Sequence, residues 1–237
     1  MKSILVSKII QTEKDFNNSF YNKKGNIYTF LNPVSYLTAL KNKNIFAQFD
    51  GIFADGSILV LAIQLLYRKK VTRRSFDMTS IAPELLQYAE KHRKSIYIVA
   101  SKQNQVEKAI KIFKKSYPDL IIAGYRNGYF SSEKEMEEET IKITTIKPDF
   151  VIIGMGILAQ EKFIIKVKMA GFEGIGFTCG GFIHQTAKNE INYYPAWADR
   201  MNLRFIYRIC KEKHTRKRYL QAAFLFPAKF IWERLFG

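Results

Sequence analysis

The sequence is poor in cysteine and histidine, and it lacks long apolar runs. Two cysteines and three histidines in 237 residues are too few for a disulfide framework or for a zinc site with the usual ligand spacing. No run of about 18 uncharged apolar residues occurs, so a membrane-spanning helix is not expected. The first ten residues, MKSILVSKII, lack a small-residue cleavage site and are not expected to be a signal peptide. We therefore expect a reduced, cytoplasmic setting.

Acidic residues are also scarce relative to basic ones. The chain carries 38 Lys and Arg against 21 Asp and Glu, which gives a formal net charge of +17. Residues 200–218 hold eight of the basic residues and one acid. Such an excess is typical of proteins that bind nucleic acid, an anionic membrane surface or a phosphorylated ligand. No helix-turn-helix, zinc or RNA-binding signature occurs, so nucleic-acid binding remains only as an alternative.

The sequence does contain an alternation of short apolar runs and amphipathic stretches. Strands are predicted over residues 27–31, 95–100, 120–124, 150–155 and 174–178, and helices over 34–43, 58–68, 81–91, 103–116, 133–143 and 160–169. This alternation is typical of an α/β fold, a Rossmann-like, mostly parallel sheet flanked by helices. Two further apolar runs, 3–10 and 45–53, are also interpreted as strands. We expect the Rossmann-like core to cover residues 1–191 and a basic, aromatic, helical appendage to cover residues 192–237.

The expected appendage has arginines spaced for one side of a helix. Arg200, Arg204 and Arg208 recur every four residues, and bulky apolar residues occupy much of the remaining helix surface. A basic face beside bulky apolar residues is typical of a helix that lies on an anionic membrane. The alternative is a helix pair packed on the core with a solvated basic face. Arginines can also bind a diphosphate by paired hydrogen bonds.

Loops that follow the predicted strands are candidate sites, because open parallel sheets bind ligands at the carboxyl ends of their strands. These loops contain Asn32, Asp55 and residues 154–160. Asp55 could act as a general base, with Gly56 allowing a tight backbone, although a turn or a helix N-cap explains Asp equally well. The glycines of the third loop can expose backbone donors to a diphosphate. The dinucleotide-binding fingerprint is incomplete there, because position 159 is Ala.

Several of these segments together resemble one family, the WecG/TagA/CpsF glycosyltransferases. Residues 147–163, KPDFVIIGMGILAQEKF, carry the Pro-Asp, Gly-x-Gly and Gln-Glu pattern of that family. Asn32-Pro33 and Ala54-Asp55-Gly56 match its early loops, and the resemblance extends from Ile27 to Leu220. It implies an inverting, metal-independent enzyme with no cofactor. Such an enzyme moves a sugar from a UDP-sugar to a polyprenyl-diphosphate-linked sugar in cell-surface polysaccharide biosynthesis.

The resemblance also implies roles for individual residues. Asp55 would act as the general base that takes the proton from the acceptor hydroxyl. Substrate binding would involve Asn32, Gly56, Arg73, Arg74, Asp77, Gly154, Gly156, Gln160 and Glu161. The C-terminal arginines would close over the site and neutralise the diphosphate in place of a metal ion; they are Arg204, Arg208, Arg216 and Arg218.

The partners that the resemblance implies are the nucleotide-sugar, the lipid-linked acceptor and the anionic inner face of the cytoplasmic membrane, where the chain would attach peripherally. A homo-oligomer is compatible with the aromatic-rich sequence. Departures from the family pattern leave the donor open between a hexose and N-acetylmannosamine or its uronic acid. They are Phe30 where the family often has Thr, Leu158-Ala159 where it often has Pro-Lys, no acidic residue over 178–182, and TRRSFD at residues 72–77 where Arg-x-x-Gly-x-Asp is common. A non-catalytic scaffold of a polysaccharide assembly complex is the remaining alternative.

Overall fold

The computed structural model describes residues 3–11, 20–189 and 216–236. They form two compact units. The first unit contains residues 3–11, 30–75 and 216–236, and the second contains residues 20–29 and 76–189. The expected boundary between residues 191 and 192 lies outside the described residues, and so do Arg200, Arg204 and Arg208.

Six strands form one sheet in the order β2-β1-β6-β5-β3-β4. The strands are β1 (Ile27–Leu31), β2 (Gly51–Ala54), β3 (Ser95–Ala100), β4 (Ile121–Arg126), β5 (Phe150–Gly154) and β6 (Ile175–Thr178). The pairings β1–β6, β6–β5, β5–β3 and β3–β4 are all parallel. The prediction of an α/β fold built on a parallel sheet is therefore confirmed.

Helices connect and flank the strands. They are α1 (Ile4–Ser7), α2 (Pro33–Lys41), α3 (Lys43–Phe46), α4 (Ser57–Tyr67), α5 (Ile81–Lys91), α6 (Gln103–Ser116), α7 (Glu133–Ile146), α8 (Ala159–Met169), α9 (Phe182–Asn189) and α10 (Arg216–Phe236). Helices α5 and α6 have the bounds that their amphipathic spacing predicts. The C-terminal helix is also confirmed.

The strand prediction for residues 3–10 was wrong, and the one for residues 45–53 was right only at its end, where β2 begins at Gly51. Within residues 3–10 the chain forms helix α1, capped by the Ser3 hydroxyl, followed by an isolated bridge between Ile9 and Ile52. Within residues 45–53 it first forms the end of α3 and a turn, which buries Phe46 and Phe49 with their rings 6.1 Å apart. Burial of these two rings on one side of a turn outweighs the strand propensity of the run.

In the second unit the core is built on the central strands. Residues 96–100 of β3 and 150–154 of β5 are all buried. At the amino end of β5, the Asp149 carboxylate accepts hydrogen bonds from the Ser95 backbone N–H at 2.9 Å and from Lys94 Nζ at 3.0 Å. Burial acts to raise the pKa of Asp149, but these hydrogen bonds outweigh it and hold the pKa below its usual value. The motif Pro148-Asp149 thus ties β3 to β5 at the amino ends of the strands.

In the first unit, helix α10 is part of the core. Phe226 and Phe230 are buried, and their rings lie 5.7 Å and 5.1 Å from that of Tyr36 in α2. Glu233, also buried, accepts hydrogen bonds from Ser3 Oγ at 2.7 Å and Tyr36 Oη at 2.8 Å. Of the helices within residues 3–11, 20–189 and 216–236, none has the length and apolar character needed to cross a membrane.

Candidate active site

In the first unit, two loops that follow strands meet at the start of helices α2 and α4. Asn32 caps α2, and its Oδ1 accepts hydrogen bonds from Val34 N and Ser35 N, both at 3.0 Å. Gly56 precedes α4 with a φ of +112°, a conformation that side chains rarely adopt. A Cβ at Gly56 would lie 3.8 Å from Asn32 Cβ. The Asn32 amide nitrogen, which is not needed for the cap, can donate to a ligand at this junction.

Asp55 lies at this junction, at the end of β2. Its backbone N–H donates to Leu31 O at 2.8 Å, which aligns the ends of β1 and β2. The neighbouring Ala54 O accepts a hydrogen bond from Arg74 N at 3.0 Å. Asp55 is half-buried, whereas the four residues of β2 before it are buried. The backbone of Asp55 is thus fixed at the end of the strand, and the residue is partly exposed to solvent.

The segment at residues 72–77, TRRSFD, contains the boundary between the two units, after Ser75. Arg73 and Arg74 are half-buried in the first unit, and the Arg73 guanidinium donates to Ser75 Oγ at 2.9 Å. Asp77 belongs to the second unit, where its Oδ1 accepts a hydrogen bond from Thr79 N at 2.9 Å in the turn before α5. The structure therefore gives Asp77 a local role in a turn.

In the second unit, the two glycines of the loop after β5 have different surroundings. A Cβ at Gly154 would lie 2.7 Å from Cys179 Sγ and 2.7 Å from Gly180 O, so Gly154 is required for close packing. Gly156 is exposed, has a φ of +83°, and nothing lies within 4 Å of its Cβ position. Of the two, Gly156 is the one with room for a ligand beside its backbone.

A buried polar network holds this loop in place. Glu161 Oε1 accepts hydrogen bonds from Thr29 Oγ1 at 3.0 Å and Gln160 Nε2 at 2.8 Å, and its Oε2 accepts from Leu158 N at 2.6 Å. Thr178 Oγ1 in turn donates to Thr29 Oγ1 at 2.9 Å. We call Thr29, Gln160, Glu161 and Thr178 the carboxylate network. It connects β1, β6 and the start of α8.

The carboxylate network is closed to solvent. Glu161 and Thr178 are 1% exposed and Thr29 is 0% exposed. Burial raises the pKa of Glu161, and the hydrogen bonds that it accepts oppose this rise. Gln160 extends the network, since its Oε1 accepts from Gly180 N at 3.1 Å. Both side chains of the Gln-Glu motif are thus used to fix loop backbone.

The remaining sequence-predicted residues lie at the C-terminal end. Arg216 and Arg218 are exposed in the first turn of α10, while Arg204 and Arg208 lie outside the described residues. Within the part of the chain that the structure describes, no group of three or more His, Cys, Asp and Glu residues is placed to hold a metal ion. Burial raises the pKa of the Cys179 thiol well above its usual range, which disfavours the thiolate form that a nucleophile needs.

Comparison with known proteins identifies the family. A family model described as the glycosyl transferase WecG/TagA/CpsF family matches residues 7–237. The chain belongs to this family. It is therefore a glycosyltransferase, as the motifs predict.

Curated relatives of this WecG/TagA/CpsF protein are named glycosyltransferases. A UDP-Gal:alpha-D-GlcNAc-diphosphoundecaprenol beta-1,4-galactosyltransferase of Shigella boydii is 35% identical over 234 residues, which cover 98% of this chain and 97% of the relative. An N-acetylglucosaminyldiphosphoundecaprenol N-acetyl-beta-D-mannosaminyltransferase of Bacillus subtilis strain 168 is 26% identical, over 93% of this chain and 84% of the relative. A Staphylococcus aureus enzyme with the same name as the B. subtilis one is 26% identical, over 68% of this chain and 61% of the relative.

Sequence reasoning missed two members of the carboxylate network in this WecG/TagA/CpsF protein. Thr29 and Thr178 lie within the runs IYTFL and GIGFT, which the sequence identifies only as strands. A buried threonine needs a hydrogen-bond partner, so a threonine in a mostly apolar strand was the available signal. It did not indicate that Thr178 would donate to Thr29 and Thr29 to Glu161.

Proposed function

We propose that this glycosyltransferase transfers galactose from UDP-galactose to N-acetylglucosamine carried on undecaprenyl diphosphate. The observation that carries the proposal is the 35% identity to the Shigella galactosyltransferase over nearly the whole of both chains. The same comparison supports a place in the synthesis of a cell-surface polysaccharide. The B. subtilis and S. aureus relatives, which are named for N-acetylmannosamine transfer, make UDP-N-acetylmannosamine the donor to test against it.

In the proposed reaction Asp55 is the general base. The acceptor hydroxyl oxygen attacks the anomeric carbon of the donor while Asp55 removes its proton. The bond from that carbon to the diphosphate breaks, and UDP leaves with the bonding electron pair. Attack from the face opposite the leaving group inverts the anomeric configuration. The half-buried position of Asp55 after β2 supports this role, because a base must contact the reacting hydroxyl.

The charge of the leaving diphosphate has to be neutralised, and arginines are proposed to do this without a metal ion. Guanidinium groups bind phosphate oxygens through paired hydrogen bonds. Arg216 and Arg218 are exposed and supply positive charge. Arg204 and Arg208 are proposed for the same role from the family resemblance, together with Arg73 and Arg74. Groups that stabilise the charge developing in a transition state commonly contribute more to the rate than any other feature of an active site.

The other motif residues are proposed to bind or to position. The Asn32 amide nitrogen donates to the substrate, while the side-chain oxygen keeps the capping role described above. The backbone at Gly56 and Gly156 allows a substrate to approach closely. Gln160 and Glu161 act indirectly, by holding the loop that contains Gly156.

We propose a peripheral attachment at the inner face of the cytoplasmic membrane, where the lipid-linked acceptor would be met. The C-terminal helix supports this proposal. Phe224, Trp232 and Phe236 are exposed on α10, at 79%, 66% and 65%, and basic residues begin the helix. Exposed aromatic side chains beside basic ones suit an anionic membrane surface.

The test is a donor panel with N-acetylglucosamine-diphosphoundecaprenol in vesicles as the acceptor. UDP release and the glycosylated product are measured with UDP-galactose, UDP-glucose and UDP-N-acetylmannosamine, with and without a chelator. We expect product with UDP-galactose at a rate at least roughly tenfold above the others, unaffected by the chelator, because one misfitted group costs about 1–3 kcal/mol. A higher rate with UDP-N-acetylmannosamine would show that this compound, and not UDP-galactose, is the donor. Absence of product with every donor would overturn the proposed function.

A further inference from the structure

Helix α4 exposes an apolar stripe that the assigned roles do not explain. Its eleven residues, SILVLAIQLLY, include no charged side chain, in a chain whose net charge is +17. Ile58, Leu61 and Leu65 are 45%, 56% and 68% exposed. The spacings of three and four residues place them in one line along the helix. Leu59 and Ile63 are buried and hold the helix on the first unit.

Helix α4 packs against α10 within the same unit. Arg234 Nε donates to Leu66 O at 3.1 Å, and the rings of Tyr67 and Phe230 lie 5.5 Å apart. The last turn of α4 therefore lies against the last turns of α10. On α10 the residues next to these contacts include Trp232 and Leu235, both 66% exposed. Two helices thus present large apolar side chains to solvent, which is unusual for the surface of a soluble monomer.

Basic residues border this apolar surface. Arg68 and Lys70 are exposed directly after α4, and Lys229 and Arg234 are exposed on α10. An apolar patch with a basic border matches a bilayer with anionic headgroups, which accepts the apolar side chains and attracts the cations. A second copy of this chain is the other possible occupant. It would bring equal basic borders together, and like charges repel.

We infer that α4 is a second lipid-contacting element, which inserts Ile58, Leu61 and Leu65 into an anionic bilayer beside α10. The helix begins at Ser57, two residues after Asp55. With a rise of 1.5 Å per residue, Leu61 lies about 6 Å along the helix axis from Ser57. An interfacial helix therefore keeps the Asp55 carboxylate at the depth of the headgroups, where a lipid diphosphate lies. This last step rests on the proposed lipid-linked acceptor, whereas the contact with lipid does not.

The experiment compares two double variants of the full-length chain that leave the charge unchanged. Leu61→Gln with Leu65→Gln removes the stripe, and Ile141→Gln with Ile146→Gln makes the matched change on α7, where Ile141 is 63% exposed. Co-sedimentation is measured with phosphatidylglycerol-containing vesicles and with phosphatidylcholine alone. We expect the α4 variant to bind anionic vesicles roughly tenfold more weakly or worse, from two lost leucine insertions. The α7 variant should bind like the native chain.

Kinetics and the oligomeric state distinguish lipid contact from self-association, and from a failure of the proposed function. With acceptor in vesicles, the α4 variant should show a KM raised by roughly tenfold, while turnover of a short-chain, water-soluble acceptor stays within about twofold, since a surface change leaves the active-site groups in place. Unchanged vesicle binding overturns the inference, and so does a loss of self-association without a change in vesicle binding. If the native chain transfers no sugar but the vesicle result holds, only the proposed function fails.

A second measurement covers the case in which the α4 variant does not fold. Leu65→Cys in a Cys210→Ser background is labelled with a solvent-sensitive fluorophore, and Ile141→Cys serves as the control site; the native Cys179 is buried. We expect the emission at position 65 to shift to shorter wavelength on anionic vesicles, and the emission at position 141 to stay unchanged. No shift at position 65 would also overturn the inference.

Discussion

Two segments that follow strands, one in each unit, differ in how far their polar residues are buried. In the loop after β2, Asp55 is half-buried at the end of a buried strand. After β5, Gln160 and Glu161 in the first turn of α8 are buried, and their side chains bond to backbone and to each other. The family motifs therefore contain two kinds of polar residue: Asp55, which is partly exposed, and Gln160 and Glu161, which are enclosed and fix the backbone of the loop after β5.

The largest expected effect is a loss of turnover when Asp55, after β2, is changed. Asp55→Asn keeps the shape of the side chain but removes the base, so kcat should fall by about 10³-fold with little change in thermal stability. Initial rates and thermal unfolding measure the two effects. Asp119→Asn, an exposed aspartate in the second unit, is the control. Native turnover by Asp55→Asn would rule out its role as the base.

A change in the carboxylate network should mainly lower the stability of the protein. Glu161→Ala leaves the buried donors of Thr29, Gln160 and Leu158 without an acceptor, and should lower the free energy of unfolding by about 3 kcal/mol. Because the loop loses its support, we expect a raised KM for the donor and a fall in kcat of roughly tenfold, well below that of Asp55→Asn. Urea unfolding and steady-state kinetics check both values.

Glu161→Gln sharpens this expectation. It keeps one acceptor oxygen and the side-chain volume, so it should recover part of the stability and most of the turnover. If Glu161→Gln retained native stability yet lost turnover as completely as Asp55→Asn, Glu161 would take part in the reaction itself. The distinction drawn between Asp55 and Glu161 would then be wrong.

The third test concerns Glu233, which holds α10 on the first unit. Glu233→Ala removes the acceptor for Ser3 and Tyr36, and should lower the free energy of unfolding by about 2 kcal/mol. Its contact with Lys43, 3.1 Å away, adds less because that lysine side chain is 41% exposed. Glu138→Ala, on the exposed side of α7, provides the control in urea unfolding. Equal midpoints for the two variants would show that Glu233 does not anchor α10.

The smallest effect is expected at the amino ends of the strands. Asp149→Asn should lower stability by about 1 kcal/mol and leave kcat unchanged, although the residue belongs to the same family motif. The lowered pKa of Asp149 means that its contribution is present above the unfolded-state pKa, about 3.9, and is lost as the pH falls. The stability difference between the native chain and Asp149→Asn should therefore shrink below about pH 4. A difference that is constant with pH would contradict the assigned ion pair.

The sequence predicts the fold class well because apolar runs and amphipathic spacing are local signals. Strands β3 and β5 and helices α5 and α6 follow directly from them. The run at 3–10 and the first part of the run at 45–53 were misassigned, because packing decides them, through the Ser3 cap that also bonds Glu233 and through Phe46 against Phe49.

The candidate site could be predicted in part. Its residue types were recognisable, and Asp55, Asn32 and Gly56 do come together in one unit. The functions of Gln160, Glu161 and Asp77 could not be separated, since burial and hydrogen-bond partners far away in the chain are not encoded in spacing. Thr29 reaches Glu161 across 132 positions.

The bond between Ser3 and Glu233 joins positions separated by 230 residues, which constrains how the protein is made. The first unit needs α10 to bury Tyr36, so it cannot finish folding until residues 216–236 have left the ribosome. The second unit is complete in sequence much earlier and can fold during synthesis. If α4 and α10 contact lipid as inferred above, that surface is complete only once residues 216–236 have joined the first unit.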